Sequence, residues 1–544
     1  DGLFYHLTGP KLYLHAGRIV GGLDVPHFNF PSLMEMLFAW GMLLRNDVTA
    51  KLLHTSFGLL LAGLVYISTR RLLGQRAAWP AVIILVSMPM LATLAGWAYN
   101  DLALAFYQFG SLYAIIRWAL VGPDPSWAGA RSAATDSPLE VTVADEQAPA
   151  PDSEPARFAK LYPYRWLLLS AVFSGLAMGL KYTSFVTPLL IVLLILWFGR
   201  RPGRAARSVK NVVIFAAVAG LVALPWYAKN WAYTGNPVYP FLSGLFGGQY
   251  WDSFRAAWYA SAGSGVGLQP TTLLALPWLL TLGVRDANFW DGRTGPLLLL
   301  FLPLIIWTSL SRRHKVRPAA FNLLLIYVLA HFVVWTLGIV WSRSLWQSRL
   351  LLPGLVGLVP LAGWVWVNLS SFDLPRFSLS RFVNVAVGIA LALILIDALL
   401  LTLRINPVPY LVGLETRDQH LGRRLGAHYA AMQQINETLP PDSKVVFLWE
   451  PRSYYCQPDC RPDSILDEFP HLVYQQGSAA NIAQVWREEG VSHVLIHRSG
   501  LDFMLNEQPA KIDVEILKGL ESDYLQYEFD VLDAYQLYTL KEKL

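Results

Sequence analysis

The chain has 544 residues, of which 54% are hydrophobic and only 15% are charged. This composition, with a mean hydropathy of +0.38, lies outside the range of soluble globular proteins and predicts several membrane spans. The net charge of +5 divides unevenly, because residues 405–544 carry −9 and residues 1–404 carry +14. The basic part is typical of loops between spans, so no nucleic-acid partner is expected.

The chain opens with Asp1, Tyr5 and His6, without a Met and without a leading hydrophobic run. A carboxylate at a membrane surface is costly unless it is solvated or functional. We therefore expect Asp1 to begin an extracytoplasmic loop, and the helix before that loop to be missing from this sequence.

Ten apolar runs follow and predict a polytopic, mainly α-helical membrane domain over residues 1–404. Several runs are shorter than the ~20 residues that a straight membrane-spanning helix needs. The stretch 166–198 could be one kinked hairpin, because four residues beginning at Lys181 interrupt it. In chain order the runs lie near 50–69, 77–95, 102–120, 166–180, 184–198, 211–225, 296–311, 318–340, 350–368 and 382–403.

Basic clusters between the runs predict the orientation. They lie at 70–76, 199–210, 312–317 and 369–381. If all ten runs cross the membrane, these clusters share one side, which is then cytoplasmic. Residues 121–165, rich in Ala, Pro, Ser and acidic residues, predict a disordered cytoplasmic loop. The opposite side collects 1–49, 97–101, 181–184, the large outer loop 226–295, 341–349 and the tail.

The tail, residues 405–544, predicts a small extracytoplasmic α/β domain. No Gly-rich phosphate loop follows its strands, so nucleotide binding is not predicted. Cys456 and Cys460 could form a disulfide if the tail is extracytoplasmic. The predicted elements are a helix over 417–437, a strand over 444–449, a helix over 479–489, a strand over 491–496 and one or two strands within 524–540.

Polar side chains recur where the spans meet the predicted outer face. Asp1 and Asp101 are the candidate catalytic residues, because a carboxylate can deprotonate a hydroxyl. Lys and Arg at the same face could bind an anionic lipid phosphate. The candidate substrate-binding residues are Tyr5, His6, Lys181, Tyr182, Trp226, Asn230, Arg343 and Arg349.

The principal candidates also have structural interpretations. Asp1 could be a solvated loop acid, and Asp101 could cap the helix that follows it. Lys181 could extend to the membrane interface, Arg349 could anchor a span there, and His6 could be a hydrogen-bonded loop residue. No metal-binding set is predicted, and a divalent cation is left open as a cofactor.

The run Asp1-x-x-x-Tyr5-His6-x-x-x-x-Lys11-Leu-Tyr13-Leu-x-x-Gly17-Arg-Ile resembles the first outer loop of bacterial C-type (GT-C) glycosyltransferases. The branch is that of protein O-mannosyltransferases, lipid A aminoarabinose transferases and lipopolysaccharide galacturonosyltransferases. Asp101 resembles its second acidic position, and the resemblance covers roughly 1–404. Further similar motifs are Gly179-Leu-Lys181-Tyr182-Thr183, Trp226-x-x-x-Asn230, Gly235-Asn-Pro-Val-Tyr-Pro240 and Ser348-Arg349-Leu-Leu-Leu-Pro353.

The resemblance implies a membrane enzyme of the cell envelope, in the bacterial inner membrane, that takes a sugar from a polyprenyl phosphate. In such enzymes an Asp of the first outer loop deprotonates the acceptor and the anomeric carbon is inverted, and this role carries to Asp1. Gly2 follows Asp1 where many relatives have a second acid, which weakens the case for a metal. The resemblance specifies neither sugar nor acceptor.

Two other classes of function stay open. A lipid or polysaccharide transporter (flippase) also needs a basic helical bundle, but it should carry mid-membrane charges and pseudo-symmetric halves. Asp397 is the one clear acid inside an apolar run, and no internal repeat is visible. A ligase that moves whole glycans would share the large outer loops and differ mainly in its donor.

Overall fold

The computed structural model combines a large helical part with a C-terminal part built on a β-sheet. The expected fold class, a mainly α-helical membrane bundle with a small α/β domain, is confirmed. Most of the predicted linker 121–165, most of the basic loop 312–317 and Arg343 lie outside the described residues. The structure describes residues 1–21, 23–121, 164–200, 205–261, 270–282, 292–310, 317–342 and 345–542.

Helices account for almost all of the described residues before the tail. Short helical turns join them, among them the π-helical turn Gly2–His6 and the 3-10 turns Tyr182–Phe185 and Ser348–Leu351. The helices are α1 (Thr8–Ala16), α2 (Leu33–Leu44), α3 (Asp47–Leu72), α4 (Gln75–Val86), α5 (Pro89–Ala95), α6 (Asp101–Val121), α7 (Arg165–Met178), α8 (Val186–Gly199), α9 (Ala205–Thr234), α10 (Ser243–Phe246), α11 (Ser253–Ser261), α12 (Pro270–Leu282), α13 (Pro296–Leu310), α14 (Ala319–Trp341), α15 (Leu352–Val367) and α16 (Leu379–Ile405).

Within the described residues, six helices are long and apolar enough to cross a membrane. The bent pair α4 and α5 would be a seventh span, and α2, α7, α13 and most of α12 are shorter apolar helices. The protein is therefore an integral membrane protein. The six are Asp47–Leu72, Tyr182–Gly199, Ala205–Thr234, Ala319–Val340, Ser348–Val367 and Leu379–Ile405.

One predicted run, 77–95, is not a single straight helix. The chain bends by 65° between α4 and α5. Pro89 begins α5, and Met88 before it has extended backbone angles. Proline has no N–H to continue the preceding helix and disfavours helical geometry in the residue before it, which accounts for the break.

The predicted large outer loop 226–295 also differs from the expectation. Helix α9 continues through Pro225 to Thr234, so Trp226 and Asn230 lie on its last turns rather than in a loop. The rest of the segment contains α10, α11 and α12. Helix α12 has only 13 residues. This is too few for a straight membrane span, so the length of the helix alone does not assign it to the membrane.

Small residues let the helices pack closely. A Cβ added to Gly363 of α15 would lie 2.8 Å from the carbonyl oxygen of Ala77 on α4. A Cβ added to Gly175 of α7 would lie 2.5 Å from the carbonyl oxygen of Ala219 on α9. Close approach at glycine is a common way to pack helices in membranes. Among the six candidate spans, the one containing α15 is the most buried.

The tail contains a five-stranded sheet of order β2-β1-β3-β5-β4. Strand β1 runs parallel to β2 and β3, whereas β5 is antiparallel to β3 and β4. The helix expected over 417–437 is two helices, because the chain turns at Gly426 with φ 57°. The elements are α17 (Val408–Leu411), α18 (Arg417–Leu425), α19 (Ala427–Thr438), β1 (Lys444–Leu448), β2 (Asp459–Arg461), α20 (Glu468–Gln476), α21 (Ala479–Glu488), β3 (His493–His497), α22 (Arg498–Glu507), α23 (Val514–Gly519), β4 (Leu525–Val531) and β5 (Tyr535–Leu540).

The loop after β1 joins the tail to the start of the chain. Lys11 Nζ donates to the carbonyl oxygens of Tyr454, at 3.0 Å, and Cys456. The Tyr454 N–H donates to the carbonyl oxygen of Leu3 at 3.3 Å. Cys456 is disulfide-bonded to Cys460. The sheet domain therefore lies at the same end of the bundle as Asp1.

Candidate active site

The Gly2–His6 turn holds Asp1 in place. The carbonyl oxygen of Asp1 accepts the N–H groups of Phe4, Tyr5 and His6 at 3.1–3.4 Å. At the far end of the turn, His6 Nδ1 lies 2.5 Å from Glu35 Oε1, and both residues are buried. Burial lowers the pKa of His6, partly offset by the Glu35 carboxylate. The buried pair therefore anchors the turn that carries Asp1.

Asp101 is the first residue of α6, and its surroundings fix that helix end. His54 Nε2 accepts the Leu102 N–H at 3.2 Å, while His54 Nδ1 lies 2.9 Å from the Trp97 carbonyl oxygen. This arrangement requires the neutral tautomer with a proton on Nδ1. Asn100 Nδ2 donates to the Leu180 carbonyl oxygen at 3.1 Å. An imidazole thus caps the helix, and the Asp101 carboxylate is left for other partners.

Arg349 connects the two candidate carboxylates. Its Nη2 lies 2.5 Å from Asp1 Oδ2, and its Nη1 lies 3.8 Å from Asp101 Oδ2. Gln347 Oε1 accepts from Nε and Nη2 of Arg349 at 2.9 and 2.7 Å. The guanidinium also lies over the ring of Tyr99, with Cζ 4.6 Å from its centroid. Residues far apart in the chain therefore meet in one charged cluster.

Lys181 completes this cluster. Its Nζ lies 3.2 Å from Asp101 Oδ1. The side chain of Asp101 is 1% exposed, whereas that of Asp1 is 29% exposed. Two cations therefore balance two carboxylates, which offsets part of the cost of burying charge. Asp1 is the more accessible acid of the two.

The other predicted binding residues make different contacts. The Tyr5 ring contacts those of His6 and His27, and burial raises the pKa of its hydroxyl well above the usual value. The Tyr182 hydroxyl donates to the Tyr239 carbonyl oxygen at 2.8 Å and accepts from Asn230 Nδ2 at 2.9 Å. Tyr182 and Asn230 therefore hold the end of α9 against the segment around Tyr239.

Trp226 has a packing role. Its indole covers Gly179, where an added Cβ would lie 2.7 Å from Trp226 Cδ1. Gly179 is the C-cap residue of α7, two positions before Lys181. The packing of Trp226 on Gly179 therefore positions the segment that carries Lys181.

The sequence does not single out four residues of the site: Glu35, His54, Tyr99 and Gln347. Glu35 and His54 could have been found from the sequence, because an ionisable group within an apolar helical stretch rarely lacks a role. Gln347 lies two residues before Arg349, but only the folded chain reveals that the two side chains meet.

A metal ion bound by Asp1 and Asp101 would lie beside the cations that these carboxylates already contact. Among the described residues, no group of three or more His, Cys, Asp or Glu is arranged to hold a metal ion. Asp1 and Asp101 both face Arg349, and Asp101 also faces Lys181.

No protein-family model and no curated protein sequence matches the chain. The fold matches the apo ArnT of Cupriavidus metallidurans, 16% identical with a TM-score of 0.53, over 99% of this chain and 93% of that one. ArnT bound to undecaprenyl phosphate is 14% identical with a TM-score of 0.55 and the same coverage of both chains. An Archaeoglobus fulgidus oligosaccharyltransferase tethered to an acceptor peptide is 13% identical with a TM-score of 0.50, over 99% of this chain and 70% of that one. The chain has the C-type glycosyltransferase fold, as the sequence resemblance implies.

Proposed function

We propose that this protein is an inverting glycosyltransferase that moves a sugar from a polyprenyl phosphate to an acceptor hydroxyl on the outer face of the membrane. The observation that carries the proposal is the cluster in which Asp1 and Asp101 share Arg349, with Lys181 on Asp101. The fold of a protein solved with undecaprenyl phosphate bound supports a lipid phosphate as the donor's leaving group.

Asp1 is the general base in this proposal. Its side chain is accessible to a hydroxyl, whereas Asp101 is enclosed and holds Lys181 and Arg349 in position. The acceptor proton passes to the Asp1 carboxylate while the acceptor oxygen attacks the anomeric carbon. The bond from that carbon to the phosphate oxygen breaks, and the lipid phosphate leaves with the electron pair. A single base opposite the leaving group gives inversion.

Arg349 and Lys181 bind the departing phosphate. Charge-assisted bonds to phosphate oxygens are among the stronger hydrogen bonds in proteins. Arg349 contacts Asp1 in the structure. A phosphate that draws the guanidinium toward itself leaves the Asp1 carboxylate to the acceptor hydroxyl. Donor binding therefore prepares the base for the acceptor.

The test is Asp1→Asn in the protein expressed from its complete reading frame and placed in lipid nanodiscs. Asn keeps the shape of Asp but cannot take the proton, so transfer should fall by about 10²–10⁴-fold. A panel of labelled polyprenyl-phosphate sugars supplies the donor, and mass spectrometry follows transfer. Asp442→Asn, at an exposed site in the tail, is the matched control. Wild-type transfer by a well-folded Asp1→Asn protein would reject Asp1 as the base, whereas no transfer by the wild-type protein from any donor of the panel would favour a transporter.

A further inference from the structure

A cleft of about 410 Å³ separates the start of the helical part from the tail. Helices α1, α18 and α19, the junction of α2 and α3, and the loop after β1 contribute to its walls. Clefts of roughly 300–1,000 Å³ at domain interfaces are common sites for small ligands. The lining residues that matter here are Lys11, His15, Arg417, Tyr429, Tyr454 and Tyr455.

The cleft adjoins the turn that carries Asp1. Tyr454, which lines the cleft, donates its N–H to the carbonyl oxygen of Leu3 at 3.3 Å. Lys11, which also lines the cleft, donates to the Tyr454 carbonyl oxygen at 3.0 Å. A ligand in the cleft would therefore contact the loop that is hydrogen-bonded to the turn of the proposed base. The helical part and the tail both contact it, so the site exists only when the two are assembled.

Three tyrosines give the cleft its aromatic surface. The ring of Tyr455 makes edge contacts with those of Tyr429, at 5.2 Å, and Tyr454, at 5.0 Å. A tyrosine offers an apolar ring and a polar hydroxyl, a combination that suits the alternating C–H and O–H surface of a sugar. The aromatic surface therefore favours a saccharide over a wholly apolar ligand.

The cations of the cleft add a preference for negative charge. Arg417 pairs with Asp47, yet its side chain remains 43% exposed. His15, one helical turn after Lys11, is exposed and adds a ring N–H that can donate to an anion. Burial lowers the pKa of Lys11 to about 8, so the ammonium stays mainly charged at neutral pH. Asp418, the acid on the same wall, accepts a hydrogen bond from the Tyr429 hydroxyl.

We propose that this cleft binds the saccharide of the acceptor, and that this saccharide carries an acidic group such as a phosphate or a carboxylate. The inference rests on the proposed function and specifies the second substrate of the same site. Tyr455 contacts the sugar ring, and Arg417 and His15 meet its acidic substituent. The acceptor hydroxyl then extends past Tyr454 toward Asp1.

Saturation-transfer difference NMR on the complete protein in nanodiscs, with glucose 6-phosphate, glucuronic acid and glucose as probes, tests this. Both acidic sugars should bind at least tenfold more tightly than glucose. Tyr455→Ala should abolish binding of all three, and His15→Ala should reduce only the acidic preference. Tyr474→Ala, at an exposed tail tyrosine elsewhere, should change nothing. Equal binding of glucose, or binding that survives Tyr455→Ala in a protein of unchanged melting temperature, overturns the proposal.

A separate measurement distinguishes this inference from the proposed function. Undecaprenyl phosphate binding should be unaffected by Tyr455→Ala and weakened by Arg349→Ala. If sugars bind the cleft while the wild-type protein transfers no sugar from any donor, the proposed function fails and the saccharide site stands. If Asp1→Asn abolishes transfer while Tyr455→Ala leaves saccharide binding intact, this inference alone fails.

Discussion

Arg349 is the residue on which both carboxylates of the site depend. Replacing it with Lys keeps the charge but removes the planar fork that reaches Asp1 and Gln347 together. A charge-assisted bond contributes roughly 1.5–3 kcal/mol, so Arg349→Lys should raise the donor KM about tenfold or more. Steady-state transfer with varied donor measures this. Lys51→Arg, at a half-exposed ion pair, is the control, and an unchanged donor KM would reassign Arg349 to a structural role.

Glu35 is a positioning residue at the same scale. Glu35→Gln keeps the side chain's size but replaces a charge-assisted contact with His6 by a neutral one. The Asp1 turn should then be less well fixed, and misplacement of a reacting group can cost up to about 10²-fold in rate. We expect kcat to fall about tenfold or more with donor KM unchanged.

A loss of Glu35→Gln activity that only follows a lower melting temperature would contradict this positioning role. Glu489→Gln, at an exposed residue of the tail, provides the comparison. General destabilisation would also lower the apparent kcat at constant KM, because it reduces the amount of active protein, so kcat is calculated per folded protein and compared with the melting temperature.

Candidate residues and their partners differ in how well the sequence reveals them. Asp1, Asp101, Lys181 and Arg349 could be grouped before the structure, because alternating spans assign them to one membrane face. Their contacts could not be predicted, because the His6–Glu35 pair joins residues 29 apart and the Arg349–Asp1 pair joins residues 348 apart. Periodicity assigns a residue to a face, whereas tertiary packing selects its partner.

At the level of helices, packing at glycine leads to a direct test. An added side chain at Gly363 of α15 would collide with the backbone of α4, whereas one at Gly388 of α16 would meet open space. Overpacking typically costs 1–3 kcal/mol, so Gly363→Val should lower the melting temperature in detergent and Gly388→Val should not. Equal melting temperatures would indicate that α4 and α15 separate without cost.

The helices and strands were predicted correctly where the apolar residues follow a single period. They were predicted incorrectly where the backbone changes direction. Apolar runs give the long helices, and the two buried strands of the tail, β1 and β3, were expected close to their actual positions. Hydrophobicity does not register the 65° bend before Pro89 or the change of direction at Gly426. Both breaks come from φ and ψ, which glycine and proline alter without changing the apolar pattern.

For the whole molecule, the charge pattern makes a prediction about orientation. Single cysteines at Ala205 and Ala260, both exposed, should react differently with an impermeant maleimide. In a protein with Cys456 and Cys460 replaced by Ser, Ala260→Cys should be labelled from outside the cell and Ala205→Cys only after permeabilisation. The reverse pattern would invert the topology and place the proposed site on the cytoplasmic face.

The pairing of Lys11 with the Cys456 carbonyl, across 445 residues, has a consequence for biosynthesis. A chain is made from its amino end, so the turn with Asp1 emerges long before the loop that supports it. Arg349, the counter-ion of both acids, also follows Asp1 by 348 residues. A chain that ends before residue 349 therefore has Asp1 without Arg349, and one that ends before Cys456 lacks the loop that supports the Asp1 turn. The complete arrangement around Asp1 forms only after translation has passed Cys456.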